Sequence, residues 1–143
     1  MRSDRSTALS RFRAARVARL ATADAAGQPH LVPVTFAVSP TDTTLFVVIA
    51  IDHKPKSTTD LRRLRNIADN PRVSLLADHY DDDWTQLWWA RLDGSAEILT
   101  APADLADPLI WLKTKYDQYR IDSPTGPVIR IAVESVRGWS YSA

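Results

Sequence analysis

The chain has 143 residues, 45% hydrophobic and 24% charged, with a formal net charge of +1. That length suits one domain, residues 1–143, with a core of its own, and that balance is unlike a general nucleic-acid binder. No cysteine is present, which excludes disulfides, thiolate catalysis and cysteine-ligated zinc. No apolar run reaches the length of a membrane span, and the arginine-rich start lacks an apolar signal region, so a cytoplasmic location is expected.

Ser6 or Thr7 is expected to cap a first helix that carries Leu9 and Phe12 on one side. The segment "RVARLAT" then alternates as a half-buried strand would, from Arg16 to Thr22. "ADAAGQP" is turn chemistry, with Asp24 and Gly27 as the benders. "HLVPVTFAV" reads as a second strand. Pro33 lies inside it and has no N–H to give, so this strand is expected at an edge or with a bulge. "TLFVVIAI" is apolar at every position, as in a strand buried on both faces.

Next comes "KPKSTTDLRRLRNIADNPRVSLL", Lys54 to Leu76. Ser57 to Asp60 reads S-x-x-D, a capping box that would start a helix. Leu61, Leu64 and Ile67 form an apolar stripe, with Arg62, Arg63 and Arg65 off it, and Asn70-Pro71 ends the helix. "RVSLLADHY" is the next strand and "DDDW" an acidic turn. "TQLWWARL", Asp93-Gly94 and "SAEIL" together read as a β-hairpin, because Asp-Gly suits a tight turn. "TAPADLADPLIWLKTKYDQYR" is helical, with Pro102 and Pro108 near its starts, and "PVIRIAVESVRGWS" supplies a closing strand. The result is about seven mostly antiparallel strands with flanking helices, a mainly β chain best closed as a barrel. Trp88 and Trp89 are adjacent on one strand and must face opposite ways. One can fill the barrel, and the other needs an apolar partner outside it.

Two readings are open for Lys54 and Lys56. They are an ordinary solvated loop, or point charges beside a helix start that favours an anion. For Arg62, Arg63 and Arg65 a solvent-facing, ion-paired face is the plainer reading. His30, His53 and His79 share no metal-ligand spacing, so no metal is expected. The chain has only 4 glycines and no Gly-rich phosphate loop. No nucleophile–base pair stands out, and no catalytic residue is assigned.

The order of three strands, "HKPKS", a helix, "NPRVSLLAD" and "WWARLDGSAEIL" resembles the pyridoxamine 5′-phosphate oxidase-like split β-barrel superfamily. Within it, the chain is similar to the flavin/deazaflavin oxidoreductases that use coenzyme F-420. The resemblance covers nearly the whole chain. It implies a split β-barrel homodimer with coenzyme F-420, or alternatively flavin mononucleotide (FMN), in a groove at the dimer interface. It places the basic cofactor-binding pair at Lys54 and Lys56, the following hydroxyl at Ser57, and a further contact at Arg63. Strand segments Val34, Thr35, Phe36 and Val48, Ile49, Ala50 would flank the ring. Gln86 would reach the cofactor of the other subunit. The spaced arginines that hold substrate phosphate in pyridoxamine-phosphate oxidases are not evident, which argues against a vitamin-processing role. The implied reaction passes hydride to a small conjugated or unsaturated molecule. An FMN-dependent oxidase or flavin reductase of the same fold, and a non-catalytic cofactor carrier, are the rival readings.

Overall fold

A computed structural model describes residues 1–41, 43–51 and 61–142. In chain order it shows α1 (Arg5–Ala14), β1 (Ala18–Ala23), β2 (Pro29–Val34), β3 (Ala37–Val38) and β4 (Phe46–Ala50). These are followed by α2 (Arg62–Asp69), β5 (Arg72–His79), a 3₁₀ turn (Trp84–Gln86) and β6 (Trp88–Leu99). The chain closes with α3 (Pro102–Lys115), α4 (Asp117–Ile121) and β7 (Val128–Ser140). The seven strands form one sheet in the order β2-β1-β5-β6-β7-β4-β3, antiparallel throughout. It curls into a split barrel.

Period-two burial explains most of this. Ala18, Leu20 and Thr22 of β1 point inward and are buried, while Arg19 is exposed. β4 is buried on both faces, as its continuous apolar run predicts. Val47 and Ile49 join Phe12, Leu20, Phe36, Leu75, Leu92 and Ile131 inside the barrel. Val48 and Ala50 face outward, against Leu99, Leu112 and Val128 beneath α3. Pro33 sits in β2, which is an edge strand of the sheet, where its missing N–H leaves no ladder bond broken. The turn before β2 is as expected: Asp24 accepts from the N–H groups of Ala26 and Gln28, and Gly27 has φ 88°.

Several elements depart from the sequence reading. Asp4, not Ser6 or Thr7, caps α1, accepting the Thr7 N–H at 2.7 Å. The second strand is broken at Thr35 and Phe36 into β2 and β3. Asp93-Gly94 makes no hairpin. β6 runs through it as one 12-residue strand, with a register shift at Asp93/Gly94 in its pairing with β7. The physical reason is that β5 and β7 flank β6 on both sides of this point, and pairing with both holds the chain extended through Asp93-Gly94. One lost hairpin and one split strand leave the count at seven.

α2 begins at Arg62, with Leu61 at its N-cap and no side-chain cap bond, so it starts later than the S-x-x-D pattern predicts. That pattern, Ser57 to Asp60, lies outside the described residues. Leu64 and Ile67 are buried as the stripe predicts, and the buried Asn66 amide donates to Thr22 Oγ1 at 2.9 Å, tying α2 to β1. The last long helix is split as well. Tyr116 is extended (φ −120°, ψ 122°) and divides α3 from α4. Pro108 lies inside α3 rather than at a helix start.

Candidate functional site

Antiparallel partners share a sheet face, so the outer face of the barrel can be read from the pairing. Arg91, Leu76, Arg19 and Pro33 form one row across β6, β5, β1 and β2. Asp93, Ser74, Ala21 and Leu31 form the next row. Asp78 and Trp89 form a third. All but Pro33 and Asp93 of these residues line an open concavity of about 550 Å³, bounded also by Tyr80. Leu31 is 66% and Tyr80 62% exposed, and Arg91 lies over the Trp89 ring with 5.8 Å to the centroid. Trp88 faces the other way and packs against the inner core. The two tryptophans thus diverge as their adjacency requires, and Trp89 is the outward one.

Asp93 anchors this face. Ser74 Oγ and Ser135 Oγ donate to its carboxylate at 2.6 and 2.9 Å, and Arg91 Nε at 3.3 Å. Burial works against its ionisation, but the two hydroxyls and the arginine outweigh it and hold the carboxyl below its ordinary pKa.

A second, smaller concavity of about 200 Å³ lies where the β2 edge meets β4 and α2. Val17, Pro33, Val34, Thr35, Ile49, Ala50 and Arg63 line it. Apolar side chains share its walls with one hydroxyl and one guanidinium. The packing of α2 explains Arg63. Leu64 and Ile67 turn inward, Arg62 and Arg65 are exposed, and Arg63 between them is partly buried and faces the concavity.

Of the residues singled out from the sequence, Val34, Thr35, Ile49, Ala50 and Arg63 meet here. Phe36 does not. Its ring is fully buried and tilts against Phe12, centroids 4.7 Å apart. Val48 lies under α3 in the outer cluster. Gln86 is exposed on the 3₁₀ turn and does not line this concavity. Lys54, Lys56 and Ser57 lie outside the described residues, though the segment carrying them joins β4 to α2, and Ala50 and Arg63 near its two ends are both wall residues. Val17 and Pro33 were not anticipated in this role. The edge position of Pro33 was the available signal, since only an edge strand leaves one side open.

Lys115, at the end of α3, points back toward the same strand break. Its ammonium donates to the Ala15 carbonyl at 2.6 Å and sits 3.7 Å from the centre of the Phe36 ring. Burial first, then the charges of Arg16 and Arg13, push its pKa down to about 8. The penalty for holding this charge is complete below pH 8, where both folded and unfolded chains are protonated. Between about 8 and the ordinary 10.5 the folded chain has lost a proton that the unfolded chain keeps. Stability from this group therefore rises with pH across that window. Tyr116, whose pKa burial raises above 10.0, works in the opposite direction above that value. Lys115→Met is expected to flatten the rise between pH 8 and pH 10 relative to the parent chain. Thermal melts of both proteins across that range check this, and parallel pH profiles would disprove it.

Among the described residues no group of three or more His, Asp or Glu side chains is placed to hold a metal, and no helix is long and apolar enough to cross a membrane.

The curled antiparallel sheet, with helices on its flanks and a shallow concavity at one edge, defines a split β-barrel of the FMN-binding type. The chain matches the pyridoxamine 5′-phosphate oxidase family over residues 6–140, and it belongs to that family. Solved structures with this fold include an FAD-binding protein from Mesorhizobium loti, 22% identical, covering 96% of this chain and 95% of that one, TM-score 0.70. An FAD-binding protein from Mycobacterium smegmatis is 16% identical over 99% of both chains, TM-score 0.66. A heme storage protein from Vibrio cholerae is 19% identical, covering 96% and 95%, TM-score 0.66. At these identities the likeness is one of fold. Comparison with curated proteins found no match.

Proposed function

We propose that the protein is an oxidoreductase that holds coenzyme F-420 in the concavity between β2, β4 and α2. The observation that carries this reading is the meeting of Val34, Thr35, Ile49, Ala50 and Arg63 in one place. An apolar wall beside one hydroxyl and one guanidinium suits a flat ring with a polar rim and an anionic tail. Bound there, the cofactor would supply two-electron hydride chemistry toward a small conjugated or unsaturated molecule. The chain's own part is to bind the ring against Val34 and Ile49, to orient it through Thr35, and to attract the tail through Arg63 and the Lys54–Lys56 segment. FMN is the alternative cofactor. The FAD-binding relatives of the same fold favour testing a flavin directly, and a carrier without turnover remains the rival to an enzyme.

The test is side-by-side fluorescence titration of the purified chain with F-420, FMN and FAD, followed by turnover assays on conjugated substrates. F-420 is expected to bind most tightly, with affinity falling as salt rises, because screening weakens exposed charge attraction. Equal or tighter flavin binding would favour the alternative, and binding without turnover on any substrate would favour the carrier. Failure to bind all three would overturn the reading.

The same reading includes a homodimer in the cytoplasm. The outer face carrying Leu31, Leu76, Tyr80 and Trp89 is broad and apolar for a free surface, and its Pro33 row leads directly into the concavity. A second copy seated on it would wall the concavity and exclude water. Light scattering at micromolar concentration is expected to give twice 16.0 kDa, and Trp89→Glu to shift the protein toward monomer. A wild-type monomer under those conditions would count against the shared groove.

A further inference from the structure

Two tyrosines at the break between α3 and α4 do not line the concavity, yet both reach the strand interruption that carries Thr35. The Tyr116 hydroxyl accepts the Phe36 backbone N–H at 3.2 Å and donates to the Arg16 carbonyl at 2.8 Å. It thereby satisfies a backbone group that the break between β2 and β3 would otherwise leave without a ladder partner. The Tyr119 hydroxyl lies 2.7 Å from Thr35 Oγ1. The two rings meet edge to face, centroids 5.6 Å apart. Tyr116 is the extended residue between the two helices, and Tyr119 lies in the second of them.

We propose that Tyr119 is a positioning residue that sets the Thr35 hydroxyl as a hydrogen-bond donor toward whatever occupies the concavity, while Tyr116 holds the backbone at the break. A phenol is a stronger acid than an aliphatic alcohol, so Tyr119 is the natural donor of the pair. Thr35 Oγ1 then accepts from Tyr119 and keeps its own proton for the concavity, polarised by the bond behind it. The ligand atom this selects is an acceptor, such as a carbonyl oxygen or an unprotonated nitrogen on the rim of a heteroaromatic ring. A ligand presenting an N–H at that point would meet a donor and be disfavoured. This inference deepens the cofactor reading and rests on it.

The test uses the full chain and the cofactor, F-420 or FMN, that wild type binds more tightly. Thr35→Val removes the hydroxyl and keeps the shape, and is expected to weaken binding about tenfold, on the scale of one hydrogen bond. Tyr119→Phe should weaken it by about three- to tenfold. The double variant should bind no worse than Thr35→Val alone, because Tyr119 affects the ligand through Thr35. Thr35→Ser should bind like wild type. A fluorinated tyrosine at position 119, a stronger donor of nearly the same shape, should tighten binding, and this arm stands even if Tyr119→Phe folds poorly. Unchanged affinity in both position-119 variants, or losses that multiply in the double variant, would overturn the inference while leaving the cofactor reading intact. Wild type that binds neither cofactor would overturn the cofactor reading and this inference with it.

Discussion

Gly94→Val is expected to leave little folded protein. A β-carbon at Gly94 would lie 3.0 Å from the carbonyl carbon of Ala132 and closer still to its oxygen. Both belong to the backbone of β7, which is fixed on its other side by β4. Neither can move without parting the longest strand pair of the sheet, Trp88–Leu99 against Val128–Ser140. The loss should exceed about 4 kcal/mol, the range reserved for severe backbone or core defects. A domain of this kind has only about 5–15 kcal/mol to lose. Gly27→Ala is the comparison. Its φ is positive, but the space around it is open, so the cost should be confined to about 1–2 kcal/mol of backbone strain. Urea unfolding of the three proteins decides the matter. A Gly94→Val midpoint close to that of wild type would mean that the bulge yields more easily than its packing implies.

The second large effect concerns binding rather than folding. Lys56→Ala is expected to weaken F-420 binding by at least about tenfold, the worth of one charge-assisted hydrogen bond. The melting point without ligand is expected to hardly move, and a clear fall would mean that the lysine serves folding instead of binding. Lys54→Ala should act in the same direction and more mildly. Arg62→Ala is the control, because Arg62 is exposed while its neighbour Arg63 faces the concavity. If Lys56→Ala binds like wild type in the same titration, the basic segment is an ordinary loop. Arg63 would then be the cation that the described walls of the concavity supply.

Much of the barrel could be read from local patterns, because burial in a strand follows a period of two whatever lies elsewhere in the chain. The alternation in β1, the continuous apolar run of β4 and the Asp24–Gly27 turn are of this kind. So is the edge placement of Pro33, which follows from a missing N–H and needs no partner to be known. The family signature rested on the same local stretches, "NPRVSLLAD" and "LDGSAEIL".

Other features depend on contacts between distant parts of the chain. Asp93-Gly94 has the composition of a tight turn. Here the glycine admits a close backbone instead, and only the presence of β5 and β7 on either side decides between the two. Tyr116 stands in a segment with helical composition, yet it is extended. Its hydroxyl is bound to Arg16 and Phe36, 100 and 80 residues away in the chain. The concavity is a result of the same kind. Val17, Pro33, Ile49 and Arg63 come from four separate segments, and each takes its local conformation for its own reasons. They become one surface only because β1, β2, β4 and α2 close around a shared core. Local propensity acts over a few residues, whereas a concavity is a relation among elements, set by how the whole sheet curls.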